Sequence, residues 1–228
     1  MKKVFMLMVG ITLALGMLFA PLMVRADGFL DFNIDANQPG GAAISFAGGS
    51  NPLKGVNIGV DSVTGKHTLL HNNVTVDFHL TNPLNGAILT FTTGNFTPSG
   101  AGDWNFVGGG SISVDLPLTG GGSLNLLTGS FNSAEVDAGG GTFKVAISAF
   151  TDLKNTRLLN FYGLPTGVPY HGNFNISFDA NASPTNAFTS IDVLSGDLKN
   201  SVPEPATMLL LGSGLLGMGI FARRRFKK

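Results

Sequence analysis

The sequence predicts an all-β protein, an antiparallel β-sandwich or jelly-roll-like domain, flanked by an N-terminal signal helix and a C-terminal transmembrane helix. Three observations lead there. Between residues 27 and 201, short runs of alternating apolar and polar residues recur at a spacing of roughly 8 to 15, separated by glycine, proline or asparagine. No window of that stretch carries a sustained helical stripe; Thr151 to Leu159 has room for a turn or two. Each end, by contrast, holds a long apolar run without a charge.

The N-terminal element is a secretory signal. Lys2 and Lys3 form its charged start, and Val4 to Ala20 run without a charge. Val24-Arg25-Ala26 then places small residues at −3 and −1, so cleavage is predicted between Ala26 and Asp27 by signal peptidase. Residues 1–26 are therefore the signal peptide, and 27–201 the exported domain.

Charge separates the domain from its ends. Eight of the 14 basic residues lie in the first 25 and last six positions. Asp27 to Val202 holds six basic and 13 acidic residues, a net charge of −7. Such a domain repels phosphate backbones, which argues against nucleic acid as a partner. The 228 residues contain no cysteine, which excludes disulfides, thiolate zinc sites, iron–sulfur clusters and cysteine nucleophiles.

Within the domain, Leu30, Phe32, Ile34 and Ala36 share one strand face, with Asp31, Asn33, Asp35 and Asn37 on the other. The same alternation is read in Val74, Val76, Phe78 and Leu80, and again in Phe174, Ile176, Phe178 and Ala180. Three glycine triplets, at 108–110, 120–122 and 139–141, each lead into a short apolar strand. Their unequal spacing argues for successive hairpins in one sheet over a regular solenoid.

The last element is the most specific. Val202-Pro203-Glu204-Pro205 precedes Ala206 to Ala222, uncharged throughout, and the chain closes with Arg223-Arg224-Arg225-Phe226-Lys227-Lys228. Seventeen helical residues at ~1.5 Å each span ~25 Å, near the lower limit for crossing a bilayer. The basic cluster at Arg223, Arg224 and Arg225 holds the cytoplasmic end. Pro203 and Pro205 supply no N–H donors, so the helix is not extended backwards and the tripeptide stays extended outside it.

Signature, helix and arginine cluster, in this order, resemble the PEP-CTERM sorting signal of Gram-negative bacteria. The resemblance is confined to residues 202–228. It implies handling by an exosortase, transient anchoring in the inner membrane through residues 206–222, and release to the cell surface or medium. It also implies a setting in which extracellular polysaccharide is commonly made. Gly212-Ser213-Gly214-Leu215-Leu216-Gly217 fits a dinucleotide fingerprint, but the required βαβ unit has no room before the chain ends. Small residues packing a membrane helix account for it.

The search for chemistry finds neither GxSxG, HExxH nor a P-loop. Asp77, Asp103, Asp115 and Asp137 are scattered, and Glu135 is the one glutamate before the sorting motif. Asp31-x-Asn33-x-Asp35 opens like a calcium loop, yet its sixth and twelfth positions are Ala36 and Ala42. No cofactor is expected, and calcium is the one structural metal that the acidic composition admits. His67 and His71, if on one strand, lie ~13 Å apart and cannot share a zinc ion; His79 is read with them as a surface residue. Trp104 follows Gly100-Ala101-Gly102-Asp103, a loop by composition, so Trp104 with Asp103 and Asn105 is the place to look for glycan contact.

The expectation is an exported, exosortase-sorted surface or extracellular-matrix protein, non-enzymatic, with exopolysaccharide as its ligand. The alternatives are a secreted jelly-roll glycan hydrolase and a self-associating envelope subunit. Short strands and low charge also raise edge-to-edge association.

Overall fold

Alternation decides the strands. A computed structural model describes residues 28–34, 41–80, 86–98, 103–139, 142–181 and 186–201. In β1 (Phe29–Ile34), Leu30, Phe32 and Ile34 are buried, while Asp31 and Asn33 point outward. In β11 (Tyr170–Asp179), Phe174, Ile176 and Phe178 are buried, while His171, Asn173 and Asn175 are exposed. Both runs sit in the phase that the sequence predicts.

Between these lie β2 (Ala43–Phe46), β3 (Pro52–Val60), β4 (Ser62–Lys66), β5 (Thr75–Asp77), β6 (Ala87–Pro98), β7 (Trp104–Phe106), β8 (Gly109–Pro117), β9 (Ser123–Gly139) and β10 (Thr142–Lys154). After β11 come β12 (Phe188–Thr189) and β13 (Asp192–Ser201). All belong to one antiparallel sheet rather than two separate ones, in the order β12-β2-β3-β6-β7-β9-β10-β11-β13-β1-β4-β5, with β8 beside β7 between β6 and β9. Of the glycine triplets, 120–122 lies in the hairpin turn between β8 and β9, whereas Gly109 and Gly110 sit inside β8, where it follows β7 between the same two neighbours; β9 and β10 pair as the next hairpin, and no solenoid is present among the described residues.

The sheet closes on itself. Only Asp61 separates β3 from β4, yet β3 pairs with β2 and β6 while β4 pairs with β1 and β5. The Asp61 N–H donates to Asn33 O (3.0 Å), pinning the bend against β1. From β3 the ladder therefore runs through β6, β7/β8, β9, β10, β11, β13 and β1 and returns to the same stretch of chain. A sheet this large has to curl to bury one face, and its inner residues form a single hydrophobic core.

Aromatic rings fill that core. Phe91 meets Phe131 and Phe174 edge-on at 6.1 and 5.3 Å between centroids. Towards another part of it, Phe143, Phe178 and Phe188 stack at 5.5–6.2 Å.

One predicted strand is cut short. The run Val74, Val76, Phe78 and Leu80 does not alternate through: Val74 is exposed, β5 covers three residues, and Phe78–Leu80 is a 3-10 turn. The Asp77 carboxylate accepts from the His79 N–H (2.8 Å), and the Phe78 N–H donates to Asp61 O (2.7 Å). These bonds turn the chain away from the ladder and draw Phe78 inward.

The helical turn expected near residue 151 lies later, as α1 (Thr156–Tyr162); residues 151–154 belong to β10. Asn155 caps it, its side chain accepting from the Arg157 N–H (2.9 Å), and Gly163 ends it in the left-handed region at φ +66°. Tyr162 anchors the helix to the sheet: its hydroxyl reaches Val63 O (2.9 Å) and Val74 O (3.0 Å).

Two predictions come from this architecture. Gly110 has φ +72°, and a methyl there would overlap the Thr92 carbonyl oxygen of the neighbouring strand. Gly110→Ala is expected to cost about 2 kcal/mol or more in denaturant unfolding. Burial pushes the Tyr162 phenol up to about 12, above the ~10 of the unfolded chain. Between those values the unfolded state has released a proton that the folded state keeps, so stability falls as pH rises through that window. Tyr162→Phe should lose about 1 kcal/mol at neutral pH and show a shallower decline from pH 10 upward in the same unfolding series.

Candidate functional site

Three of the five buried polar or charged residues among those described lie together, Thr68 and Thr93 being the other two. Asp152 and Lys154 on β10 and Asn200 on β13 are buried, and the side chains of the first two are fully enclosed. Lys154 Nζ donates to Asp152 Oδ2 at 2.5 Å, and Asn200 Nδ2 donates to Asp152 Oδ1 at 2.7 Å. One carboxylate thus holds an amine on one oxygen and an amide on the other.

Local structure explains how three polar groups arrive there. Strand β11 lies between β10 and β13, with Asp152 opposite Tyr170 and Asn200 opposite Gly172. A side chain at 172 would overlap Asn200 Nδ2 and the Phe150 ring, so glycine leaves the passage across β11 through which Asn200 reaches Asp152. Lys154 Nζ lies 4.2 Å from the centroid of the Tyr170 ring. The Tyr170 hydroxyl donates to Pro165 O (2.7 Å), which fixes that ring.

The enclosure weakens both charges. Burial raises the Asp152 carboxyl above its ordinary range, against the pull of Lys154 and Asn200. Burial likewise lowers the Lys154 amine to about 8, against Asp152. Each partner moves towards its neutral form. Asn200 Oδ1 is buried without a hydrogen-bond partner.

The residues singled out by sequence lie elsewhere. Trp104 is not on a loop and offers no face to a glycan. It sits in β7, is 0% exposed, and packs edge-on against Phe143 and Phe188 at 5.6 Å. The reason is its phase: β7 pairs with β6 and β9 and turns residues 104 and 106 into the core. Glu135 and Asp137 are exposed on β9, and Asp115 on β8 accepts from Asn125 Nδ2 at 2.9 Å. Asp31 faces outward opposite Lys199, its carboxyl raised mainly by burial; Asp35 lies outside the described residues.

His67 and His71 take positive φ at 54° and 50° in the turn region after β4 rather than on a strand. His71 stacks on Phe161 at 4.0 Å. His79 lies 3.7 Å from Asp61 and 3.5 Å from Asp77. Among the described residues, no three His, Asp or Glu side chains converge as a metal-binding set.

The buried trio escaped sequence reasoning because of a bulge. Register against β9 and β11 shifts between Ala146 and Phe150, so the inward phase set by Phe143 and Val145 becomes Phe150, Asp152 and Lys154. Alternation alone would turn Leu153 inward and Asp152 and Lys154 outward, the reverse of what the bulge produces.

The described residues define an all-β domain built on one antiparallel sheet. Residues 201–225 match the PEP-CTERM protein-sorting motif. The match begins on Ser201, the last residue of β13, and supports an exported protein sorted through its C-terminus by an exosortase. No curated protein and no solved structure matches the chain. The expected signal peptide and Ala26–Asp27 cleavage site, the motif Pro203, Glu204 and Pro205, the apolar stretch 206–222 and the cluster Arg223, Arg224 and Arg225 lie outside the described residues. No helix among the described residues is long and apolar enough to cross a membrane.

The trio predicts a coupled stability effect. Asp152→Ala leaves the Lys154 amine buried without its carboxylate and should cost about 3–5 kcal/mol. Adding Lys154→Met to Asp152→Ala removes that stranded amine and should make the double variant more stable than Asp152→Ala alone, which urea unfolding of the two measures.

Proposed function

We propose that this chain is a non-enzymatic surface or extracellular-matrix protein, whose closed β-domain is carried out of the cell and handed over through its tail. The observation that carries this reading is the position of the sorting motif. It starts on Ser201, the last residue of the last strand among the described residues, so it covers none of the sheet before that residue. An enzyme reading the tail therefore need not disturb the fold.

Extracellular polysaccharide is the partner we assign to the delivered domain. With Trp104 in the core, the face suited to it is the outer side of β11 and β13. There Asn173 and Asn175 are exposed opposite Lys199 and Asp197. Amide and charged groups in such a row can exchange hydrogen bonds with sugar hydroxyls without a deep pocket.

Intact mass of the protein from its native host, with envelope and medium fractions separated, tests the handover. The expected species starts at Asp27 and ends near Pro203 to Pro205. Replacing Pro203 and Pro205 by alanine should leave the full tail and hold the protein in the envelope. A wild-type mass that retains Arg223 to Lys228 in every fraction would overturn the sorting reading.

A further inference from the structure

We propose that Lys154 and Asn200 join in an intramolecular isopeptide bond, formed by the folded domain itself with Asp152 as the acid–base group. The placement of the three side chains carries the inference. A nucleophile, an electrophile and a proton carrier occupy one enclosed site, and the carboxylate touches both reacting partners, at 2.5 and 2.7 Å. Holding an amine beside an amide in this way replaces a bimolecular encounter, worth many orders of magnitude in effective concentration.

The surroundings favour the reaction over a static ion pair. An ammonium has no lone pair to attack with, and a carboxylate has no proton to give. Burial shifts Lys154 and Asp152 away from those forms. The Phe150 ring, beside Asn200 Nδ2 over Gly172, and the Tyr170 ring, beside Lys154, border the site. Asn200 Oδ1, buried without a partner, becomes satisfied when the amide turns and the acid form of Asp152 donates to it.

The steps balance without an oxidant or co-reactant. Asp152 takes a proton from the Lys154 ammonium, leaving a neutral amine and a carboxylic acid. The Nζ lone pair attacks Asn200 Cγ, the carbonyl electron pair moves onto Oδ1, and the Asp152 proton stabilises that oxygen. Nζ then loses a proton through the carboxyl group to the amide nitrogen. The Cγ–Nδ2 bond breaks, its electron pair leaves with ammonia, and the carbonyl re-forms. One C–N bond is made and one is broken.

The bond would bridge β10 and β13 across Gly172 of the strand between them. It would also lie one residue before the segment matched by the sorting motif. On the reading proposed above, that is where a tether meets the domain, and a covalent link there fastens the terminal strand against load.

The test is a mass measurement on the full-length chain, purified folded and then denatured. The expected intact mass is lower by one ammonia. Tryptic cleavage after Lys154 should be lost, and one branched peptide should contain both Lys154 and Asn200. Asp152→Asn should restore the full mass and ordinary cleavage. Full mass in the folded wild-type chain, with Lys154 and Asn200 in separate peptides, would overturn the proposal. An ammonia loss confined to a single unbranched peptide would do the same, and persistence of the branched peptide in Asp152→Asn would remove Asp152 from its role. If that variant does not fold, the wild-type peptide map alone decides. None of these outcomes depends on whether the tail is processed.

Discussion

The structure depends on a bend in one strand. Residues 52–66 serve two parts of the sheet, pairing with β2 and β6 before Asp61 and with β1 and β5 after it. Without that bend, the sheet would be an open ribbon with an apolar face and nothing to cover it. With it, the face turns inward and the single core follows. The domain has one short helix and no second layer among the described residues, so sheet closure supplies what helix packing supplies in other folds.

A closed core dominated by Phe, Leu, Ile and Val makes the Asp152–Lys154–Asn200 cluster costly. Desolvating two charged groups is seldom recovered by their mutual attraction, and hydrophobic residues of similar volume would serve stability as well or better. Yet Gly172 is kept bare beneath Asn200 and Tyr170 is fixed over Lys154. Arrangement of that kind around an unfavourable group is better explained by chemistry than by packing. Converting the pair into an amide would remove the buried ammonium altogether, replacing a charge with a neutral group. The proposed reaction is thus also a way for the core to shed its largest electrostatic penalty.

Much of this was legible in the residues, and the exceptions have physical causes. β1 and β11 were readable because each keeps an unbroken two-residue alternation with one face fully buried. The triplet at 120–122 marked the β8–β9 hairpin because its tight turn takes Gly121 and Gly122 at positive φ. Trp104 was misread because the glycine-rich residues before it suggested a loop, whereas tertiary pairing with β6 and β9 recruited 104–106 as a strand. The run at 74–80 failed because Asp77 and Asp61 offered bonds that compete with the ladder. The buried cluster was hidden by the bulge before Phe150, which changes phase without a glycine or proline to announce it. Asn200 was nearer to legible, since it shares the inward phase of Leu198.

Closure also bears on association. The sheet order ends in β12, of two residues, and β5, of three. So little free edge offers few unpaired backbone groups to a second chain, and a net charge of −7 over residues 27–202 opposes close approach of copies. Self-assembly through exposed strands therefore has less to work with than the low charge and many short strands suggest. Contacts in a matrix would have to come through side chains on the outer faces. There the polar row on β11 and β13 shares β13 with the buried cluster, Lys199 facing out beside the inward Asn200, so whatever fastens that strand inside also steadies the row outside.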